Sequence, residues 1–159
     1  MAQIRFPSIV VLILAILLSA CQPAITPTNV VERYLEAKQN NDFEAWKSEL
    51  WAAQKDPQNF SPSFEKPGDL AVLSLSIGNL AVSDEETGRI KKMYSGSELA
   101  GKYGWSDEFI AQNVVAVSAQ YTVDYDNTKV PYSEGTLTQY FYLVRETQDA
   151  PWLIWNMSY

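Results

Sequence analysis

The aromatic residues near the end of the chain are the side chains best suited to form a binding site. Six of them lie in three strand-like segments: Tyr121, Tyr125, Tyr140, Tyr142, Trp152 and Trp155. Aromatic faces line many ligand pockets, and phenol groups add hydrogen-bond donors. Aromatic residues also favour strands and pair across them, so cross-strand packing is the alternative interpretation. The pattern predicts either a ligand pocket or a packed sheet face.

Two further aromatic residues, Phe60 and Phe64, lie in an aperiodic segment between Asp56 and Asp69. Its prolines and Gly68 indicate a loop, and the loop is long for a compact domain. The two phenylalanines either pin this loop to the core or belong to a lid over a pocket. We therefore include both among the candidate interaction residues.

Catalytic chemistry is restricted because the chain contains no histidine. Ser-His-Asp and Cys-His catalysis are excluded, together with most zinc sites. A cofactor-free isomerase or hydrolase that uses Tyr and a carboxylate stays open as the alternative function. Such an enzyme needs an acid that faces the same cavity as the tyrosines. Strand alternation instead places Asp124 on the face opposite Tyr121 and Tyr125.

One acidic segment begins like a calcium-binding loop. Asp124, Asp126 and Thr128 have the spacing of the first ligands of such a loop. Lys129 then occupies the position that needs glycine, and Gly135 occupies the position that needs a bidentate glutamate. We predict a solvated turn here, with no metal site and no cofactor.

The first 20 residues have the features of a secretory signal peptide. Arg5 precedes an apolar run from Ile9 to Leu18. That run is too short to span a membrane and has the length of a signal-peptide core. Two small residues follow it, and Cys21 comes directly after them.

The quartet Leu18-Ser19-Ala20-Cys21 resembles the lipobox of bacterial lipoproteins. The resemblance implies cleavage before Cys21 and a diacylglyceryl group on its sulfur. Cys21 is the only cysteine, so it has no intramolecular disulfide partner, and outside the cytosol its bare thiol would be open to oxidation. An ordinary signal peptide that happens to leave a cysteine is the alternative. The lipoprotein interpretation predicts a protein anchored by lipid on the extracytoplasmic face of the cell membrane, with residues 21–28 as lipidated cysteine and tether.

Charge limits the classes of partner. The chain has 12 basic and 19 acidic residues and a formal net charge of −7. Nucleic-acid binding depends on Lys and Arg at phosphates, so an acidic domain disfavours it. Attraction to anionic lipid is disfavoured for the same reason. We expect contact with the membrane through the lipid on Cys21, and otherwise a small ligand or a cell-surface protein as partner.

Two amphipathic helices open the predicted domain, which covers residues 29–159. Thr28 is suited to cap the first helix, which ends near Gln39, and Asp42 is suited to cap the second. One face of the second helix would carry Phe43, Trp46, Leu50 and Trp51. Helices joined by so short a turn are expected to be neighbours.

Strand patterns dominate the rest of the chain, with a short helix predicted at 84–94. The strands are predicted at 70–82, 114–125, 136–145 and 152–159. In the first, Leu73, Leu75 and Ile77 alternate with serines, and Gly78 indicates a bulge. The alternation over 114–125 is typical of an antiparallel sheet with one buried face and one wetter face. Helices followed by neighbouring strands indicate an α+β domain, with N-terminal helices packed on an antiparallel sheet.

This order resembles the nuclear-transport-factor-2-like, or cystatin-like, cone. The motifs NVVERYL at 29–35 and NDFEAW at 41–46 look like the start of many such domains. The segments 121–126, 140–145 and 151–155 are similar to a family of uncharacterised lipoprotein domains from Gram-positive bacteria. The resemblance implies a curved sheet wrapped over the helices, and it brings no catalytic residues. We expect a non-catalytic domain that binds a small ligand, or a peptide or protein partner, at the cell surface.

Overall fold

The computed structural model describes residues 25–158, in which helices pack on a four-stranded antiparallel sheet. This is the α+β class that the sequence predicts. The predicted signal peptide, Cys21 and Tyr159 lie outside the described residues. None of the helices within 25–158 has the length and apolar character that a membrane span requires.

The first helix, α1, spans Pro27–Gln39. Its N-cap is Thr26 rather than the predicted Thr28. The Thr26 hydroxyl accepts a hydrogen bond from the backbone N–H of Asn29 at 3.3 Å, and proline occupies the first helical position, where no N–H is needed. The helix ends at Asn40, and Asn41 has a positive φ of 55°, as expected where Asn ends a helix.

The second predicted helix is two short helices. Asp42 caps α2, Phe43–Ser48, as predicted, but the helix stops there, and α3 spans Trp51–Lys55. Between them the backbone pairs with the last strand of the sheet, since the Ile154 N–H donates to the Glu49 carbonyl at 2.8 Å. This pairing interrupts the helix. As a result Trp51 does not share the face of Phe43, Trp46 and Leu50, and the prediction of one continuous face was wrong.

The sheet has four strands: β1, Val72–Val82; β2, Val114–Tyr125; β3, Gly135–Val144; and β4, Leu153–Ser158. They lie in the order β1-β2-β3-β4, with every neighbouring pair antiparallel. The inner face of the sheet, defined by Val117, Tyr121 and Phe141, packs against α1 and α2 in the main core.

Strand β1 is less regular than predicted. The register shifts between Val72 and Ser74, and Leu73 is 65% exposed instead of sharing the face of the buried Leu75. A second shift, between Ile77 and Leu80, confirms the bulge predicted at Gly78. A Cβ on Gly78 would lie 2.8 Å from the Gln120 carbonyl oxygen, so this close approach of two backbones requires glycine.

The outer face of the sheet is also covered over part of its area. Three helices lie on it: α4, Asp84–Tyr94; α5, Glu98–Tyr103; and α6, Asp107–Asn113. They bury Val114, Ala116, Tyr142 and Val144 in a second core. The predicted wetter face is therefore confirmed only farther along β2, where Gln120, Thr122 and Asp124 are exposed.

A polar cluster fastens α4 to this outer face. The Tyr142 hydroxyl donates a hydrogen bond to Glu86 Oε1 at 2.6 Å. The Arg89 guanidinium donates two more hydrogen bonds to the same carboxylate, at 2.5 and 2.7 Å. The Ser158 hydroxyl lies 2.5 Å from the Tyr142 hydroxyl. The Arg89 guanidinium, with help from Tyr142, holds the pKa of the Glu86 carboxyl below its usual range. The cluster is internally satisfied and links β3, β4 and α4.

Substituting Glu86→Gln should lower the free energy of unfolding at pH 7 by about 1–3 kcal/mol, because charge-assisted hydrogen bonds are lost. A lowered folded-state pKa contributes stability that is present above about pH 4.5 and is lost as the pH falls through the folded value. The difference between wild type and variant should therefore shrink below about pH 4.5. Urea unfolding from pH 7 to 3 measures this. Glu85→Gln, on the exposed side of the same helix, is the matched control and should change little at any pH.

Candidate functional site

A cavity of about 130 Å³ opens on the inner face of the sheet. Helix α1 contributes Tyr34, Leu35 and Lys38 to its wall, the first and last of which are one turn apart on the same helix face. The other lining residues come from the loop before β1, from the sheet and from the β2–β3 connection: Glu65, Tyr121, Tyr125, Tyr132, Gln139 and Met157. We call this cavity the inner pocket.

Lys38 is the central charge of the inner pocket. The residue is only 6% exposed. Its ammonium nitrogen lies 5.8, 5.3 and 5.4 Å from the ring centroids of Tyr34, Tyr125 and Tyr132, within the range of cation–π attraction. Lysine is rarely so deeply buried unless it is paired. Three aromatic rings therefore enclose one cation.

Glu65 is the ionic partner of Lys38. Its Oε1 lies 3.8 Å from Lys38 Nζ, and the Tyr125 hydroxyl lies 3.5 Å from the same nitrogen. Both distances exceed the roughly 2.7–2.9 Å of a charge-assisted hydrogen bond. Glu65 is 9% exposed and accepts a hydrogen bond from the Tyr132 hydroxyl at 2.9 Å. The two opposite charges thus face each other loosely across the pocket wall.

The phenol groups act as hydrogen-bond donors. Burial, followed by the hydrogen bond to Glu65, raises the pKa of Tyr132, so this phenol keeps its proton at neutral pH. The Tyr121 hydroxyl donates a hydrogen bond to Gln139 Oε1 at 2.6 Å on the inner face of the sheet. The pocket therefore combines an ammonium, a carboxylate and protonated phenols with an apolar wall that includes Leu35 and Met157.

A family model described as a domain of unknown function, DUF4829, matches residues 28–157. The chain belongs to this family. No curated protein and no solved structure matches the chain significantly. Membership in DUF4829 names neither a ligand nor a reaction.

The structure of this DUF4829 domain divides the six predicted aromatic residues between different surroundings. Tyr121 and Tyr125 line the inner pocket. Tyr140, Tyr142 and Trp155 belong to the second core on the outer face. Trp152 is half-buried beside the main core, with the Arg145 guanidinium carbon 4.6 Å from its ring centroid. The six residues therefore do not form one site.

The two loop phenylalanines also differ. Phe60 is half-buried, and its ring centroid is 6.3 Å from that of Trp46 in the main core, so it pins the loop. Phe64 is 42% exposed and contacts the Tyr132 ring edge to face at 5.7 Å. The residue of this loop that lines the pocket of the DUF4829 domain is Glu65.

Sequence reasoning missed seven of the nine pocket residues: Tyr34, Leu35, Lys38, Glu65, Tyr132, Gln139 and Met157. One signal existed for Lys38, which continues the buried stripe of Val31, Tyr34 and Leu35 on α1. A charged residue on an apolar helix face indicates a buried partner. No comparable signal existed for Glu65, because it lies in an aperiodic loop whose path only the folded domain defines.

The segment that begins like a calcium loop holds an ion pair in this DUF4829 domain. Lys129 Nζ lies 2.9 Å from Asp69 and 3.2 Å from Asp126, and the Asp126 carboxylate also accepts a hydrogen bond from Thr128. Within residues 25–158, no group of three or more Cys, Asp or Glu side chains is arranged to hold a metal ion.

Proposed function

We propose that this chain is a lipid-anchored domain on the extracytoplasmic face of the membrane and that it binds a small ligand in the inner pocket without transforming it. The anchor is a diacylglyceryl group on Cys21, supported by the lipobox-like quartet that ends in this residue and by the absence of any second cysteine. The domain has a cone-like arrangement of the nuclear-transport-factor-2 type, supported by N-terminal helices followed by an antiparallel sheet with a pocket on its inner face.

The observation that carries the binding role is the loosely paired Lys38 and Glu65 in the pocket wall. Burying two charges costs free energy, and a well-packed apolar pair often stabilises a fold as well or better. Packing alone therefore does not explain a charge pair whose atoms are 3.8 Å apart beside an open cavity. Ligand pockets typically place a few polar groups in an apolar wall, because those groups orient the ligand.

Binding is better supported than catalysis. The alternative enzyme needs a carboxylate free to exchange a proton with substrate beside a tyrosine. Glu65, rather than Asp124, is the acid that faces the pocket tyrosines. Its Oε1 already accepts a hydrogen bond from the Tyr132 hydroxyl and lies 3.8 Å from the Lys38 ammonium, so this carboxylate and phenol are hydrogen-bonded to each other rather than both directed at a substrate.

The pocket volume sets the size of the ligand. An apolar cavity of about 150 Å³ holds one benzene molecule, whereas drug-sized ligands occupy about 300–1,000 Å³. A cavity of about 130 Å³ therefore suits a ligand of roughly six non-hydrogen atoms.

A blocking substitution tests the binding role. Met157 lines the pocket from β4, so Met157→Trp should fill the cavity. We expect ligand-detected NMR with a mixture of small polar fragments to show binding to the wild-type full chain. The blocked variant should lose at least about tenfold in affinity, or about 1.4 kcal/mol.

Leu73→Trp is the matched control, because it introduces the same side chain at an exposed position of β1. It should bind the fragments like the wild type. Equal binding by all three proteins would place the ligand elsewhere, and absence of binding to the wild type would remove the proposed function.

A further inference from the structure

The charge balance of the inner pocket restricts what it can take up. Lys38 and Glu65 together are neutral, and both are at least nine-tenths buried. An added single charge would be buried without compensation, which is costly in a low-dielectric site. A ligand that carries one positive and one negative group adds no net charge.

We propose that the ligand is a small zwitterion of the α-amino-acid type, with its carboxylate on Lys38 Nζ and its ammonium on the carboxylate of Glu65. This inference rests on the proposed function, since it names the ligand class of the same pocket. Standard bond lengths place the ammonium nitrogen and a carboxylate oxygen of an α-amino acid about 3 Å apart. That separation fits beside the 3.8 Å gap between Lys38 Nζ and Glu65 Oε1. The Lys38 ammonium, the ligand carboxylate, the ligand ammonium and the Glu65 carboxylate then form a ring in which neighbouring groups have opposite charges.

The remaining atoms of the pocket agree with this placement. The contacts of Tyr132 and Lys38 with Glu65 are both made to Oε1, so we assign Oε2 to the ligand ammonium. The long contacts of Lys38 Nζ, 3.5 Å and 3.8 Å, would be supplemented by a shorter hydrogen bond to the ligand carboxylate.

The size of the cavity limits the ligand side chain. About 130 Å³ accommodates roughly five to seven non-hydrogen atoms, which includes glycine, alanine and serine. Leu35 and Met157 form an apolar part of the wall, where a methyl group can pack. A branched side chain such as that of leucine exceeds the space.

Calorimetric titration of the full chain in detergent tests the proposal with ligands that separate the two charges. Glycine, L-alanine and L-serine carry both charges, whereas acetate carries only the negative charge and methylammonium only the positive charge. We expect at least one of the three amino acids to bind at least about tenfold more tightly than either single ion, and L-leucine to bind at least about tenfold more weakly than that amino acid. This comparison uses the wild-type protein, so it does not depend on the folding of a variant.

Two results would overturn the zwitterion. Acetate or methylammonium binding as tightly as the best amino acid would show that a single charge is recognised. In the second result, none of the three amino acids binds, while other small fragments bind the wild type and do not bind Met157→Trp. That result would support a binding pocket but exclude amino acids as its ligands. If the fragments also do not bind the wild type, the proposed binding function is contradicted together with the zwitterion.

The site of binding is checked with Glu65→Gln, which keeps an acceptor for Tyr132 and removes only the negative charge. It should weaken binding of the best amino acid at least about tenfold. Lys129→Met, in the exposed ion pair with Asp69, is the control and should bind like wild type. Unchanged affinity in Glu65→Gln, with folding confirmed by circular dichroism, would also contradict the proposal.

Discussion

Substituting Cys21→Ala should abolish fatty-acid attachment completely. The proposed diacylglyceryl thioether needs a cysteine sulfur as its nucleophile, and the chain contains no other cysteine that could replace this one. We expect metabolic labelling with an alkyne fatty acid to fall to background, a loss of at least about twentyfold, because both acyl chains of the proposed anchor would be attached through this residue. Intact-mass measurement of the wild type should find a chain that begins at Cys21 and carries the lipid.

The neighbouring substitution Gln22→Ala is the control, because it changes the adjacent residue and leaves the thiol in place. Its labelling should equal that of the wild type. Continued labelling of Cys21→Ala, or a wild-type chain that retains Met1 and a bare thiol, would contradict the lipid anchor.

Substituting Lys38→Met should destabilise the domain by about 3 kcal/mol or more. Removing one partner of a buried ion pair leaves the other charge buried without compensation, which costs about 3–5 kcal/mol. The Glu65 carboxylate is that remaining charge, and it is only 9% exposed. Denaturant unfolding measures the loss as a lower midpoint with an unchanged slope.

The double variant Lys38→Met with Glu65→Gln separates charge from packing. It removes both charges and keeps an acceptor for the Tyr132 hydroxyl, so it should recover most of the lost free energy. Lys129→Met is the surface control and should change the stability little, since its ion pairs are half-exposed. Two results would contradict the prediction: Lys38→Met as stable as Lys129→Met, or the double variant no more stable than Lys38→Met alone. Either result would show that Lys38 and Glu65 are not energetically coupled.

The strands and helices were predictable because the apolar periodicity of an element depends only on residues close together in the sequence. The limits of β2 and of the helix α4 follow from apolar alternation and from acidic and basic residues at the helix ends. Predictions failed where a distant contact decided the outcome. The pairing of Glu49 with Ile154 ends α2, and a shifted register turns Leu73 outward.

The candidate site was only partly predictable for the same reason. Tyr121 and Tyr125 follow from alternation, because both lie on the buried face of β2. Their division from Tyr140 and Tyr142 depends on the strand register, which pairs Val117 with Phe141 and so turns the two neighbouring tyrosines to the outer face. The sequence pattern did not indicate that helices cover them there. Glu65 comes from a loop, where side-chain direction depends on tertiary contacts alone.

Methionine methyl NMR tests the central claim, ligand binding in the inner pocket, most directly. Met157 lines the pocket, whereas Met93 is half-exposed on α4 and serves as an internal control. We predict that small polar fragments added to the ¹³C-methyl-labelled full chain shift the Met157 signal saturably and leave the Met93 signal unchanged. A Met157 signal that stays fixed, or one that moves only together with Met93, would contradict a ligand-binding pocket around Lys38 and Glu65.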